Sequence, residues 1–217
     1  MGIKVGILGL AGAGKDTFAT LLQQYLTDFT IDRYAAPLKE LTAKVYGCTL
    51  EELEDRVFKE RPQQVNRDDM LHSVYHCLDR VLLFTDAELD KASELYFEHL
   101  GSASAISPRE FQQRVGTDVV RAVKPAAWVD YLQNKDANLI VADVRFENEL
   151  CDYNILVMRA VGVPKPTHTS EHLAWDLEYD VGLDLPPCMS LLDNDVDTTL
   201  EDLERAAKQH AHSIRKL

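Results

Sequence analysis

The run Gly9-Leu10-Ala11-Gly12-Ala13-Gly14-Lys15 has the spacing Gly-x-x-x-x-Gly-Lys, followed by Asp16 and Thr17. Successive backbone N–H groups of such a loop wrap a phosphate, and glycine allows the positive φ angles and close approach this needs. A helix starting at Lys15 points its positive end at the same anion. Gly12, Ala13 and Gly14 fall on the cradle, and Lys15 is placed to reach β- and γ-phosphates. The phosphate-loop pattern asks for Ser or Thr directly after the lysine. Here Asp16 stands there and Thr17 follows, so an oxygen for Mg²⁺ is sought at Thr17 or Asp16.

Further along, Asp143 closes the apolar run Leu139-Ile140-Val141-Ala142. An acid at such a strand end holds Mg²⁺ in a phosphate-loop fold, or else caps the segment that follows. Arg145 lies two residues on, and Arg159 ends the apolar run Ile155–Met158. At Arg145 a surface arginine is the bland reading, and arginine also clamps phosphate bidentately. Arg114 and Arg121 are seven apart, on one face of an α-helix with Asp118 between them. Gln113 and Thr117 share an adjacent face, and Gly116 leaves room beside them. This set suits a nucleotide's phosphate and base, or an exposed salt-bridge series. His168, Ser170 and Glu171 lack a nucleophile elbow, so hydrolase chemistry is not expected.

The elements that must position these residues follow from periodicity. Ile3, Val5, Ile7 and Leu8 form a central strand before the glycine loop. Phe18, Leu21, Leu22, Tyr25 and Leu26 then recur at helical spacing. Strands are expected at 29–34, 139–143, 155–159 and 189–192. Helices are expected from Pro37, Thr49, Pro108 and Pro125, with a helical insertion at 67–101. Thr85 with Glu88, and Thr198 with Glu201, read as capping boxes. Strands separated by helices predict an α/β fold with a parallel sheet covered on both faces.

Composition narrows the class. Lys+Arg is 23 against 36 Asp+Glu, a net charge of −13, which argues against a nucleic-acid surface but allows a local cationic pocket. No apolar run reaches the length of a membrane span, and the opening residues do not read as a signal peptide. Cys48, Cys77, Cys151 and Cys188 are widely spaced and form no CxxC pair. Mostly buried, reduced thiols in a cytoplasmic setting are expected.

Taken in order, several blocks make a recognisable set. They are Gly9 to Thr17, Tyr34-Ala35-Ala36-Pro37-Leu38-Lys39, Ser107-Pro108-Arg109-Glu110, Gln113-Arg114-Val115-Gly116-Thr117-Asp118, and Trp128-Val129. Asp143-Val144-Arg145-Phe146-Glu147-Asn148-Glu149, Arg159 and His168-x-Ser170-Glu171 complete it. Over almost the whole chain this set resembles the bacteriophage deoxynucleoside monophosphate kinase family. Gly-Lys-Asp-Thr looks like that family's usual loop. The resemblance implies a P-loop kinase fold: a central five-stranded parallel sheet flanked by helices, in a single domain over 1–217. It also implies a helical acceptor-side insertion at about 36–135 and a lid at about 159–172.

The implied reaction moves the γ-phosphoryl of ATP, with Mg²⁺, to deoxynucleoside monophosphates, giving diphosphates for phage DNA precursors in the host cytoplasm. Lys15, Asp143 and Arg145 are the implied catalytic residues. Gly12, Ala13, Gly14, Lys15, Asp16, Thr17 and Arg159 serve the cofactor, with Thr17 and Asp16 on the metal. Arg109, Gln113, Gly116, Thr117, Trp128, Asp143, Arg145 and Glu149 serve the acceptor, and the segment from Pro164 to Ser170 belongs to the lid. Trp128 and Tyr34 are candidates to exclude a 2′-hydroxyl by bulk. The expected partners are ATP and a small-molecule acceptor, with no nucleic acid and no membrane. A homodimer, the acceptor base and the role of 67–101 stay open. The alternatives are dephospho-CoA kinase or a related small-metabolite kinase, and a nucleotide-binding protein without turnover.

Overall fold

Five short apolar runs build one parallel sheet in the computed structural model, which describes residues 2–101, 105–159, 172–179, 186, 188–195 and 197–217. Strand β1 (Lys4–Leu8) is its middle. It pairs on one side with β5 (Leu139–Val141) and on the other with β6 (Tyr153–Met158). Strand β2 (Thr30–Asp32) lies outside β5, and β7 (Met189–Asp193) outside β6. The order is β2-β5-β1-β6-β7, with all pairs parallel. Val5, Ile7, Ile140, Ile155 and Val157 point to one face. There they bury against Phe18 and Leu22 of α1 (Lys15–Tyr25) and Ala207 and Ile214 of α9 (Leu200–Ile214). The alternate residues Leu8, Leu139, Val141 and Leu156 are buried too, so these strands carry apolar residues on both faces.

The chain divides into two compact units. One comprises Met1–Tyr34 with Lys135–Leu217, and the other Ala35–Asn134. The second unit is mostly helical. It contains α2 (Ala36–Tyr46), a 3₁₀ turn at Glu52–Glu54, α3 (Arg56–Glu60), α4 (Arg67–His76), α5 (Asp86–Leu100), α6 (Pro108–Gln113) and α7 (Ala127–Gln133). The first unit also holds α8 (His172–Tyr179). No helix among the described residues is long and apolar enough to cross a membrane.

Several expectations shift. Helix α4 continues into a π segment at Cys77–Val81, and α6 into another at Arg114–Arg121. Outside the sheet, β3 (Gln63–Gln64) pairs with β4 (Ala105–Ile106) as a short antiparallel ribbon. Helix α7 starts two residues after Pro125. The cap of α9 is Thr199 with Asp202, one residue beyond the expected pair, and the Thr198 hydroxyl instead accepts from the Asp195 N–H. All four cysteines are free. Only Cys77 is fully buried, while Cys188 is exposed, so the expectation of mostly buried thiols is corrected.

Candidate phosphate-binding site

In the first unit the chain leaves β1 toward β2 and β5 on one side and toward β6 on the other. Such a reversal opens a crevice beyond the carboxyl ends of the strands, where ligands of open parallel sheets bind. The glycine loop follows β1 there, Asp143 follows β5, and Arg159 follows β6. At Gly9 a Cβ would stand 2.5 Å from the Val157 carbonyl oxygen, so the loop springs from the sheet too close to β6 for any side chain. Gly14 has φ 93° and caps α1 with no side-chain hydrogen bond, leaving that helix end suited to an anion.

Side-chain donors hold the loop by its carbonyls. Lys15 Nζ donates to Gly9 O at 2.7 Å and to Leu10 O at 2.9 Å. Arg159 Nη1 donates to Gly12 O at 2.8 Å, and Asn194 Nδ2 to Ala13 O at 2.7 Å. In a trans peptide the carbonyl and the following N–H point opposite ways. Pinning these carbonyls therefore turns N–H groups such as that of Gly14 to the other face of the loop, the face an oxyanion needs. A Cβ on Gly12 would meet nothing within 4 Å, so the loop has open space beside it. The residues present thus fit a nucleotide's phosphates.

Asn194 was not singled out from the sequence. Its signal is a polar side chain just past the carboxyl end of a strand, at the edge shared by Asp143 and Arg159. It also explains Gly14, where a Cβ would come within 2.5 Å of its amide nitrogen.

Beside the loop, the Asp16 carboxylate is ion-paired with Arg33, while Thr17 is exposed. Lys135 Nζ holds Asp32 at 2.6 Å. No three His, Cys, Asp or Glu side chains converge among the described residues as a metal cage. Mg²⁺ does not require one, because it keeps waters and substrate phosphates among its ligands.

Asp143 Oδ1 accepts the Tyr34 N–H at 2.8 Å, tying the end of β5 to the chain leaving β2. Arg145 is exposed, and its N–H donates to Glu149 Oε2 at 2.8 Å. Glu149 is 1% exposed, so the structure places it beneath the turn that carries Arg145 and not on a ligand-facing surface. The Tyr34 hydroxyl donates to Glu149 O at 2.7 Å and lies 3.7 Å from Cys151 Sγ. Burial, ahead of the neighbouring Cys151, drives the Tyr34 phenol far above its ordinary range. Burial likewise pushes the Cys151 thiol up to about 12. Both groups stay protonated and neutral, so they scaffold the turn and do not exchange protons.

The second unit presents its candidates separately. Gln113 and Thr117 are exposed on α6 and its π continuation. A π turn closes i→i+5 bonds, so a seven-residue spacing no longer returns to one face, and the expected Arg114–Arg121 alignment is lost. Arg114 instead pairs with Glu110 and donates to His99 O. Arg109 pairs with Glu60 at 2.9 Å. The space beside Gly116 is taken: a Cβ there would stand 2.7 Å from Leu38 Cδ2. Trp128 and Tyr34 are buried, at 4% and 5% exposure, so the structure makes core of the two rings considered for sugar selection. Residues 160–171, including His168, Ser170, Glu171 and most of the expected lid, lie outside the described residues.

No protein-family profile matches the chain. It is similar to the deoxynucleoside-5′-monophosphate kinase of Escherichia phage T5, 26% identical over an alignment 193 positions long, with 69% of this chain and 70% of that protein covered. The five-stranded parallel sheet flanked by helices is consistent with a P-loop kinase fold. The likeness supports a related kinase family and nucleotide binding.

Proposed function

We propose that the chain is a Mg²⁺-dependent kinase that moves the γ-phosphoryl of ATP to deoxynucleoside 5′-monophosphates, in the cytoplasm where those pools lie. The observation that carries this reading is the glycine loop at the sheet's reversal point, its carbonyls claimed by Lys15, Arg159 and Asn194. The likeness to the phage T5 enzyme supports the acceptor class.

Loop N–H groups and the start of α1 bind the phosphates of ATP. Lys15 Nζ leaves the carbonyls of Gly9 and Leu10 for the β- and γ-phosphate oxygens, and Arg159 adds charge from the end of β6. Arg145 holds the acceptor phosphate. Thr17, with Asp143, would hold Mg²⁺, and the Asp16 carboxylate is engaged by Arg33. Bound there, the metal neutralises charge on the transferring group. The acceptor's phosphate oxygen is already a nucleophile, so no general base is needed, and positioning with charge neutralisation does the rest.

The test is release of ADP by purified protein with ATP and each dNMP, NMP and dephospho-CoA in turn. Transfer to at least one dNMP is expected, with at least a tenfold kcat/KM preference over the matching ribonucleotide, about 1.4 kcal/mol. ATP binding without transfer to any acceptor, or transfer to dephospho-CoA alone, overturns the reading.

A further inference from the structure

Asp16 sets a negative charge in the first turn of α1. That helix start faces the phosphates, so by itself the acid opposes the anion that the glycine loop attracts. Its carboxylate is ion-paired with the Arg33 guanidinium. Asp16 is 74% exposed and Arg33 39%, and an ion pair that open adds little to stability. The pair therefore calls for a reason other than holding the fold.

Arg33 leaves β2 at the ligand-binding edge of the sheet. Asp32 and Gly6 both lie level with Val141, so Arg33, the turn after β5 and the glycine loop emerge side by side. The backbone on both sides of Arg33 is fixed. Its own N–H donates to Asp32 Oδ1 at 2.8 Å, and the next N–H, that of Tyr34, donates to Asp143 Oδ1. The other Asp32 oxygen is held by Lys135. A guanidinium carries five N–H donors. Among the described residues, that of Arg33 donates from Nη2 to Asp16 and makes no other hydrogen bond.

We infer that Arg33 is a further catalytic residue of the phosphoryl transfer, and that Asp16 is the residue that positions it. The inference rests on the kinase reading above. Asp16 holds one arm of the guanidinium beside Lys15, and the remaining N–H groups donate to oxygens of the γ-phosphoryl as it moves. Negative charge is spread over those oxygens in the loose transition state, and a planar fork of donors meets two of them at once. The bond from phosphorus to the ADP oxygen breaks, the bond to the acceptor's phosphate oxygen forms, and Arg33 keeps its proton throughout. The acid that follows the lysine of the glycine loop is then accounted for. Its charge is offset by Arg33, and what it contributes is the aim of the guanidinium.

The experiment combines kinetics and calorimetry on wild type, Arg33→Ala, Arg33→Lys, Asp16→Asn and the double variant Arg33→Ala/Asp16→Asn, using the dNMP that wild type turns over fastest. Arg33→Ala lowers kcat about 100-fold, with KM for ATP and for the dNMP within about threefold of wild type. Arg33→Lys recovers only part of the loss, because it keeps the charge without the fork. Asp16→Asn lowers kcat about tenfold with an unchanged Mg²⁺ dependence, and the double variant is no slower than Arg33→Ala, because Asp16 acts through Arg33. By calorimetry, Arg33→Ala weakens ADP with Mg²⁺, aluminium fluoride and dNMP, a mimic of the transition state, about tenfold or more, and ADP alone about threefold or less. Wild-type kcat in Arg33→Ala overturns the inference, as does a loss shared equally by ADP and the mimic. Losses that add in the double variant overturn the positioning role of Asp16. The two readings fail differently: wild type that transfers to no dNMP sinks both, whereas wild-type turnover untouched by Arg33→Ala sinks only the role of Arg33.

Discussion

Lys15 is held by the carbonyls of Gly9 and Leu10, so its ammonium already sits on the phosphate loop and needs only to exchange partners when a nucleotide arrives. Lys15→Ala removes that charge from the transition state. We expect turnover to fall on the order of 10³-fold with the fold intact by circular dichroism. Near-wild-type turnover would remove the loop from the mechanism. Asn194 acts one step back, donating to Ala13 O. Asn194→Ala loses the bond and should weaken ATP binding about fivefold, near 1 kcal/mol. Asn194→Asp keeps the shape but sets an acceptor against a carbonyl, so it should be the worse of the two. If the aspartate variant binds ATP as tightly as wild type, the loop does not depend on that contact.

Helix α6 owes its shape to what packs beside it. It starts with a Ser107 cap and Pro108, signals plain in the sequence, then widens into π geometry over Arg114–Arg121. Gly116 lies in that stretch, and Leu38 of α2 occupies the space its side chain would take. The glycine therefore serves the packing of α2 on α6. Gly116→Ala gains helix propensity of roughly 1 kcal/mol. It also drives a methyl into Leu38 and should cost about 1–3 kcal/mol, leaving the protein neutral to 2 kcal/mol less stable. Adding Leu38→Val relieves the overlap, so urea denaturation should show the double variant more stable than Gly116→Ala alone. A double variant that loses further stability would mean the contact is not the source of strain.

On the scale of the whole molecule, His210 ties three elements of the first unit together. Its Nδ1 lies 3.2 Å from the Tyr153 hydroxyl of β6, and its ring meets Phe18 of α1 edge-on with centroids 5.8 Å apart. Burial lowers its pKa below 6.5. The unfolded chain then binds the proton more readily than the folded one. Stability is full above about pH 6.5 and falls as pH drops through the folded value. Glu52, Glu88 and Asp202 are held below their ordinary values mainly by hydrogen bonds from Thr49, Thr85 and Thr199, so their losses come at lower pH. The melting temperature should decline between about pH 7 and pH 5, and His210→Leu should flatten that upper step. An identical decline in the variant would assign it to other groups.

Local signals were enough for the strand–glycine loop–helix unit, the parallel sheet and most helix starts. Buried β-branched runs, Ser107-Pro108 and Thr85/Glu88 act through neighbours a few residues away, and such short-range physics is written along the chain. The positions of Lys15 at the start of α1 and of Asp143 and Arg159 just past strands were legible for the same reason. Contacts between residues far apart in the chain were not. Asn194 reaches Ala13 across 181 positions, Tyr34 reaches Asp143 across 109, and Leu38 fills the space beside Gly116. Each depends on which strands and helices become neighbours, and no spacing encodes that. The same holds for the burial of Glu149 and Trp128, polar or amphipathic residues whose types suit a site and a core equally well until packing decides. The π turns at Cys77–Val81 and Arg114–Arg121 lie beyond periodicity altogether, because a pattern read at 3.6 residues per turn assumes the geometry that tertiary packing here replaces.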